Sequence, residues 1–201
     1  MNILQIGCNS GSDHVYDFLA EYNKYLKKAI LVDAEEAAVK KAREKYSDFS
    51  KVIFKSVAVV DNDAEFVDFC FPEHLSSCGH ASLDYDHVAL HERIEAGQQS
   101  REAWKVNSKR VPAVRINKLL GFFENKMVER LYIDVEGFDC QLIDDIDFKE
   151  FKIGYIKFEH VHSDGTFKAF GPIYQNTVRR LTDHGFSIIQ EKEDTIALHM
   201  A

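Results

Sequence analysis

Four short stretches place reactive side chains where an apolar run gives way to a turn. The first is Ile6-Gly7-Cys8-Asn9-Ser10-Gly11. Its two glycines permit unusual backbone angles and let a ligand approach the main chain, and the helix that follows offers unpaired N–H groups. The G-x-x-x-G spacing is neither that of dinucleotide folds nor that of phosphate loops. The second is Asp33, directly after the apolar run 29–32. A carboxylate beside the first turn suits both hydroxyls of a ribose; its competing role is to cap the next helix, with Glu36 resembling a capping box. The third, Leu131-Tyr132-Ile133-Asp134-Val135-Glu136-Gly137, sets two carboxylates at a strand end, where a base or a metal ligand is useful. Helix capping again competes, and Asp139 adds a further acid. The fourth is Lys157-Phe158-Glu159-His160-Val161-His162. There Glu159 suits orienting a hydroxyl, while His160 and His162, on the opposite face, suit taking its proton near neutral pH.

Other constellations are weaker. Cys70, His74, Cys78 and His80 do not reproduce paired C-x-x-C knuckles, so no structural zinc site is expected there and no metal ligand is assigned; a divalent ion between Asp134 and Glu159 is a weaker variant. No G-x-S-x-G elbow is present.

The elements that must position these groups alternate along the chain. Apolar runs at 3–6, 29–32, 52–60, 130–135 and 155–160 read as strands. Helical spacing at 13–25, 35–46, 138–146 and 173–184 separates them, the last helix closed by Gly185. Residues 65–71 alternate like an edge strand, 111–116 read as a further strand and 118–123 as a short helix. Residues 186–191 and 195–199 read as a terminal hairpin. This pattern predicts an α/β fold on a mainly parallel open sheet with a C-terminal antiparallel hairpin. The region from about 72 to 110 lacks apolar periodicity and reads as an excursion of loop plus one helix at 86–96, of the kind that covers binding sites. With 201 residues the chain reads as a single domain, 1–201.

Composition narrows the partners. The formal net charge is -8, and the basic run Lys40, Lys41, Arg43, Lys45 is interrupted by Glu44, as on a solvated helix face. Nucleic acid is therefore excluded as the expected partner. No stretch approaches the roughly 18 apolar residues of a membrane span, and the N-terminus lacks a secretory pattern. A cytoplasmic location with reduced cysteines is expected.

The order IGCNSG, VDAEEAAVKKA, SVAVVDNDAEF, VPAVRINKLL, LYIDVEGFDCQLI, IKFEHVH resembles the FkbM-type methyltransferases over nearly the whole chain. The most specific piece is Asp134-Val135-Glu136-Gly137 with Asp139. The resemblance implies the class I Rossmann-like methyltransferase fold and S-adenosyl-L-methionine as cofactor. It implies that Gly7, Cys8, Asn9 and Gly11 pass under the methionine end and ribose, that Asp33 takes the ribose hydroxyls beside Ala34, and that Val57 and Ala58 lie near the adenine. Asp134 and Glu136 would border the site of transfer, with Glu159 across from them. The implied reaction is O-methylation of a small-molecule or glycan hydroxyl, with Glu136, Glu159 or His160 as base and Asp134 orienting. Two positions depart from the family: Gln5 stands where an acid is usual, and Tyr132 where a lysine is common. A non-catalytic S-adenosylmethionine-binding module and, with less support, a nicotinamide-dependent oxidoreductase remain the alternatives. The motifs name no particular acceptor and no oligomeric state.

Overall fold

The computed structural model describes residues 1–73 and 81–199. The apolar runs become strands of a seven-stranded sheet. These are β1 (Asn2–Ile6), β2 (Lys28–Asp33), β3 (Val52–Ser56), β8 (Arg130–Ile133), β10 (Tyr155–Glu159), β11 (Phe186–Gln190) and β12 (Asp194–His199). Their order across the sheet is β11-β12-β10-β8-β1-β2-β3. Strands β3, β2, β1, β8 and β10 run parallel, and β12 is antiparallel to both of its neighbours. This is the predicted class I Rossmann-like methyltransferase architecture.

Successive side chains on each strand serve opposite faces. On β1, Ile3 joins a core with Val15 and Leu19 of α1 (His14–Tyr22) and Ala42 of α2 (Glu36–Lys45). Leu4 and Ile6 join the opposite core, under α4 (Ile116–Leu120), α5 (Asp139–Asp145) and α6 (Pro172–Asp183). A sheet covered on both faces explains why its central strands read as unbroken apolar runs.

Two readings of the sequence are corrected. The run 52–60 is not one strand. It breaks at Val57, and its continuation β4 (Ala58–Val60) pairs in a second, three-stranded sheet with β6 (Val106–Arg115) and β5 (Phe66–Pro72). Strand β6 also starts at residue 106 rather than 111. The polar stretch Asn107–Arg110 hid it, because those residues pair with β5 through their main chain while their side chains are largely turned outward. The excursion contains α3 (Tyr85–Gln98), capped by Asp84, whose carboxylate accepts from the Asp86 and His87 amides. Among the described residues no helix is long and apolar enough to cross a membrane. A two-stranded ribbon of β7 (Met127–Val128) and β9 (Lys152–Ile153) completes the strands.

Candidate active site

The ladder registers dictate which residues meet. Ile6 stands opposite Val32 of β2 and Ile133 of β8, and Ile133 stands opposite Phe158 of β10. The next residue on each strand therefore falls into a row across four adjacent strands: Asp33, Gly7, Asp134, Glu159. Strands β1 and β8 are where the order of an open sheet reverses, and ligands of such sheets bind beyond the carboxyl ends at that point.

Gly7 has to be glycine. Its φ is +80°, and a Cβ there would lie 1.7 Å from the Asp134 carbonyl oxygen. The Gly7 and Cys8 amides both donate to the Val32 carbonyl, at 2.9 and 3.0 Å, which locks the turn onto β2. Gly7→Ala is expected to cost at least about 3 kcal/mol, from backbone strain plus the clash, and thermal melting reads it directly. An unchanged melting temperature would show that the turn differs from this description. Gly11, at φ +71°, lies against the Tyr46 ring instead, where a Cβ would approach to 2.7 Å.

Asp33 does not cap α2. The cap is Glu35, whose carboxylate accepts from the Ala37 amide. Asp33 instead accepts the Glu35 amide on Oδ1 and the Asn9 amide on Oδ2, both at 2.8 Å. Each oxygen keeps a lone pair, and the carboxylate lines a cleft of about 700 Å³ counted out to open solvent. Gly7, Asn9, Ala34, Val57, Ala58, Asp134 and Glu136 line the same cleft. These are most of the residues singled out for the cofactor, brought to one opening.

Four singled-out residues are not among those lining it. Cys8 is fully buried in the core beside Val15, and burial drives its thiol pKa far up. Gly11 serves the packing described above. His160 is buried, its ring 4.7 Å from Phe170 and its Nδ1 3.0 Å from the Thr195 hydroxyl, and burial lowers its pKa. The chain turns after Glu159, with the Ser163 amide donating to the His160 carbonyl, so strand alternation no longer decides which way His160 points. Glu159 completes the row at the end of β10, and its amide donates to Asp139 Oδ1 at 3.3 Å. Asp139, on the first turn of α5, also accepts the Val135 amide and so ties the ends of β8 and β10 together.

The row is strongly acidic. Burial, then Glu136 and further carboxylates, raise Asp134 to about 7. Burial, then Glu136, Asp139 and Asp134, raise Glu159 to about 9. Glu159 Oε2 is buried with no hydrogen-bond partner among the described residues. At neutral pH Glu159 therefore holds a proton and offers an O–H rather than a base. Its stability effect follows from the sign of the shift. Below about 4.5 both the folded and unfolded chains keep this proton; between 4.5 and 9 only the folded chain does, so stability falls as pH rises. Glu159→Gln is expected to raise the melting temperature at pH 8 by roughly 10 °C, with the gain vanishing near pH 4.5. A gain independent of pH would show that this carboxyl is not perturbed.

A cationic ligand fits such a cleft, since it would stabilise the ionised form of Asp134.

Several cleft residues escaped the sequence reading. Ala81, Ser82 and Leu83 form part of the wall, together with Phe69 and Phe138. Ser82 bridges to Cys70 of β5 through paired main-chain bonds and donates its hydroxyl to the Glu136 carbonyl at 2.9 Å. Only its place in an aperiodic excursion hinted at this. Glu136 and Gly137 both adopt left-handed angles, φ 55° and 93°. For a glutamate that is strained, and Glu136 is one of the residues lining the cleft. Of the cysteine–histidine group, His74, Cys78 and His80 lie outside the described residues.

Comparison with known proteins follows the geometry. The methyltransferase FkbM domain model matches residues 5–188. Among solved structures, the CurJ carbon methyltransferase is similar at a TM-score of 0.50 and 10% identity, with 100% of this chain and 49% of that chain covered. SAH-bound methyltransferase PaMTH1 of Podospora anserina gives 0.49 at 11% identity over 100% and 72% of the two chains. N-methyltransferase NodS of Bradyrhizobium japonicum WM9 gives 0.45 at 11% over 98% and 83%. At such identities the likeness is one of fold alone. No curated protein sequence matches the chain.

Proposed function

The chain belongs to the FkbM methyltransferase domain family, and on that premise we propose that it transfers a methyl group from S-adenosylmethionine to a hydroxyl oxygen of a sugar or small metabolite. The observation that carries this is the strained Glu136, which lines the cleft together with Asp33, Gly7 and Asp134. When bound, the cofactor supplies an activated methyl group, so the hard chemistry is its own. A hydroxyl nucleophile still has to lose its proton, and a carboxylate at the cleft mouth is the group to take it. Neutral amines and thiolates need no such help.

Under this reading Asp33 holds the ribose hydroxyls, Asn9 and Ala34 line the nucleoside, and Val57 with Ala58 press on the adenine. Asp134 sits beside Gly7 and meets the positive end of the cofactor. Glu136 accepts the acceptor's proton, and Glu159, protonated, donates a hydrogen bond that helps to orient it. The chain then works as one domain, with residues 81–83 of its excursion walling the cleft.

Calorimetric titration with S-adenosylhomocysteine, with NAD as control, tests the cofactor first. Micromolar binding of the former and none of the latter is expected. The reverse would turn the reading towards a nicotinamide enzyme, and binding of neither would end it.

A further inference from the structure

Three side chains far apart in sequence converge behind the Glu136 turn: His87 on α3, Glu136 after β8 and His162 after β10. One ligand atom from each lies within 4.8 Å of the others. His87 Nε2 is 3.6 Å from Glu136 Oε2, and His162 Nε2 is 3.9 Å from the same oxygen. These separations are too long for hydrogen bonds. They exceed only slightly the spacing of ligands that share one ion at about 2.0–2.2 Å from each.

We infer that His87, Glu136 and His162 form a binding site for a first-row divalent transition-metal ion, of which zinc is the type. Two imidazoles and one carboxylate suit zinc, cobalt, iron or manganese rather than calcium or magnesium, which favour all-oxygen shells. The sequence did not point to this site, because no spacing connects positions 87, 136 and 162.

His87 carries the assignment. Both histidine side chains are at least 95% buried. The Nε2 of His87 has no hydrogen-bond partner among the described residues, although it is aimed at Glu136. Its Nδ1 lies 3.1 Å from the Thr166 hydroxyl, the kind of outer partner that fixes the tautomer of a metal-bound imidazole. Gly137 makes room for the site: a Cβ there would stand 3.3 Å from the His162 carbonyl and 3.6 Å from His87 Nδ1.

His162 is the weakest of the three ligands. Its Nδ1 accepts the Phe167 amide at 3.0 Å, which places the ring proton on Nε2. Loading the site moves that proton, and the Phe167 amide has to turn away. Phe167 lies in a half-exposed turn with Gly165 at φ 116°, so water can take the amide over. Metal uptake thus clamps α3 of the excursion to the ends of β8 and β10. Glu136 would bind the ion through Oε2, which leaves Oε1 for the proton of an acceptor hydroxyl; only this last step rests on the methyl-transfer reading.

The test uses the whole chain stripped with chelator, titrated with Zn2+ against a chromophoric competitor and with Co2+ followed by visible absorption. One ion per chain, cobalt ligand-field bands without a thiolate charge-transfer band, and a zinc-dependent rise in melting temperature are expected. His87→Ala should weaken Zn2+ binding at least about 100-fold, beyond the range typical of losing an outer-shell partner. Thr166→Val, which keeps all three ligands, should weaken it about 10–100-fold and serves if His87→Ala fails to fold. His162→Ala should cost less than His87→Ala. No binding by the wild type, a thiolate band, or binding equally tight in the His87 and Thr166 variants would overturn the site. None of these readouts involves the cofactor, so the outcome is independent of whether S-adenosylhomocysteine binds.

Discussion

Replacing Asp33 by alanine is expected to weaken S-adenosylhomocysteine binding by at least about 100-fold. Two hydrogen bonds from ribose hydroxyls to a carboxylate contribute roughly 1.5–3 kcal/mol each, so losing both is worth about two to four powers of ten in affinity. The same carboxylate receives the Asn9 and Glu35 amides, so alanine also frees the glycine turn from the start of α2. Asp33→Asn separates the two effects. It keeps an oxygen for one amide while removing the charge, and about a tenfold loss is expected. Calorimetry reads the affinities, and melting curves show whether the turn has loosened. Wild-type affinity in Asp33→Ala would place the ribose elsewhere in the cleft.

The second large effect belongs to Glu136. Glu136→Gln preserves the shape of the strained turn and its hydrogen bond from Ser82, which reaches the main-chain carbonyl. Cofactor affinity should stay within about twofold, while turnover falls by about 10²–10⁴-fold, the range of a lost general base. The measurement is S-adenosylhomocysteine formed from whichever hydroxyl compound the wild type methylates. If turnover survives, the proton leaves by another route. Glu159 is then a poor substitute at neutral pH, since it already holds a proton. His160 is no better placed, with its Nδ1 against the Thr195 hydroxyl. A collapse of both turnover and cofactor affinity would instead make Glu136 a structural prop.

The central sheet was readable because parallel strands buried on both faces leave apolar runs that nothing else in the chain imitates. The glycine turn and Asp33 were readable for a related reason: they occupy the residue after an apolar run, and the ladder registers carry that position to the cleft. What failed to show was whatever depends on chain reversal. The break at Val57 sits inside a run read as one strand, and Lys55 and Ser56 just before it suit a strand as well as a break. The start of β6 at Val106 is masked by asparagine, serine, lysine and arginine, whose main chain pairs with β5 although their side chains show no apolar alternation. His160 was a candidate base on the strand face opposite Glu159, yet the chain turns after Glu159 and the imidazole is buried against Phe170 and Thr195. The meeting of His87 with Glu136 and His162 depends on where α3 docks, and α3 has little amphipathic pattern to say so.

The joint at Val57 gives the cleft a mechanical character. One residue connects β3, in the large sheet, to β4, in the small one, and its amide is latched to the Asp33 carbonyl at 2.9 Å. The two sheets form two plates that meet at this bend, braced as well by Val59 in the main core and by Arg115 of β6 on Asp145 of α5. The base of the gap is carried by the large plate through Ile6 and Asp33, and the opposing jaw by the small plate through Ala58 and Phe69. A flat ring lodged between the jaws acts as a wedge, so occupancy and stiffness become the same variable. The residue that marks the bend is also one of those the ring would touch.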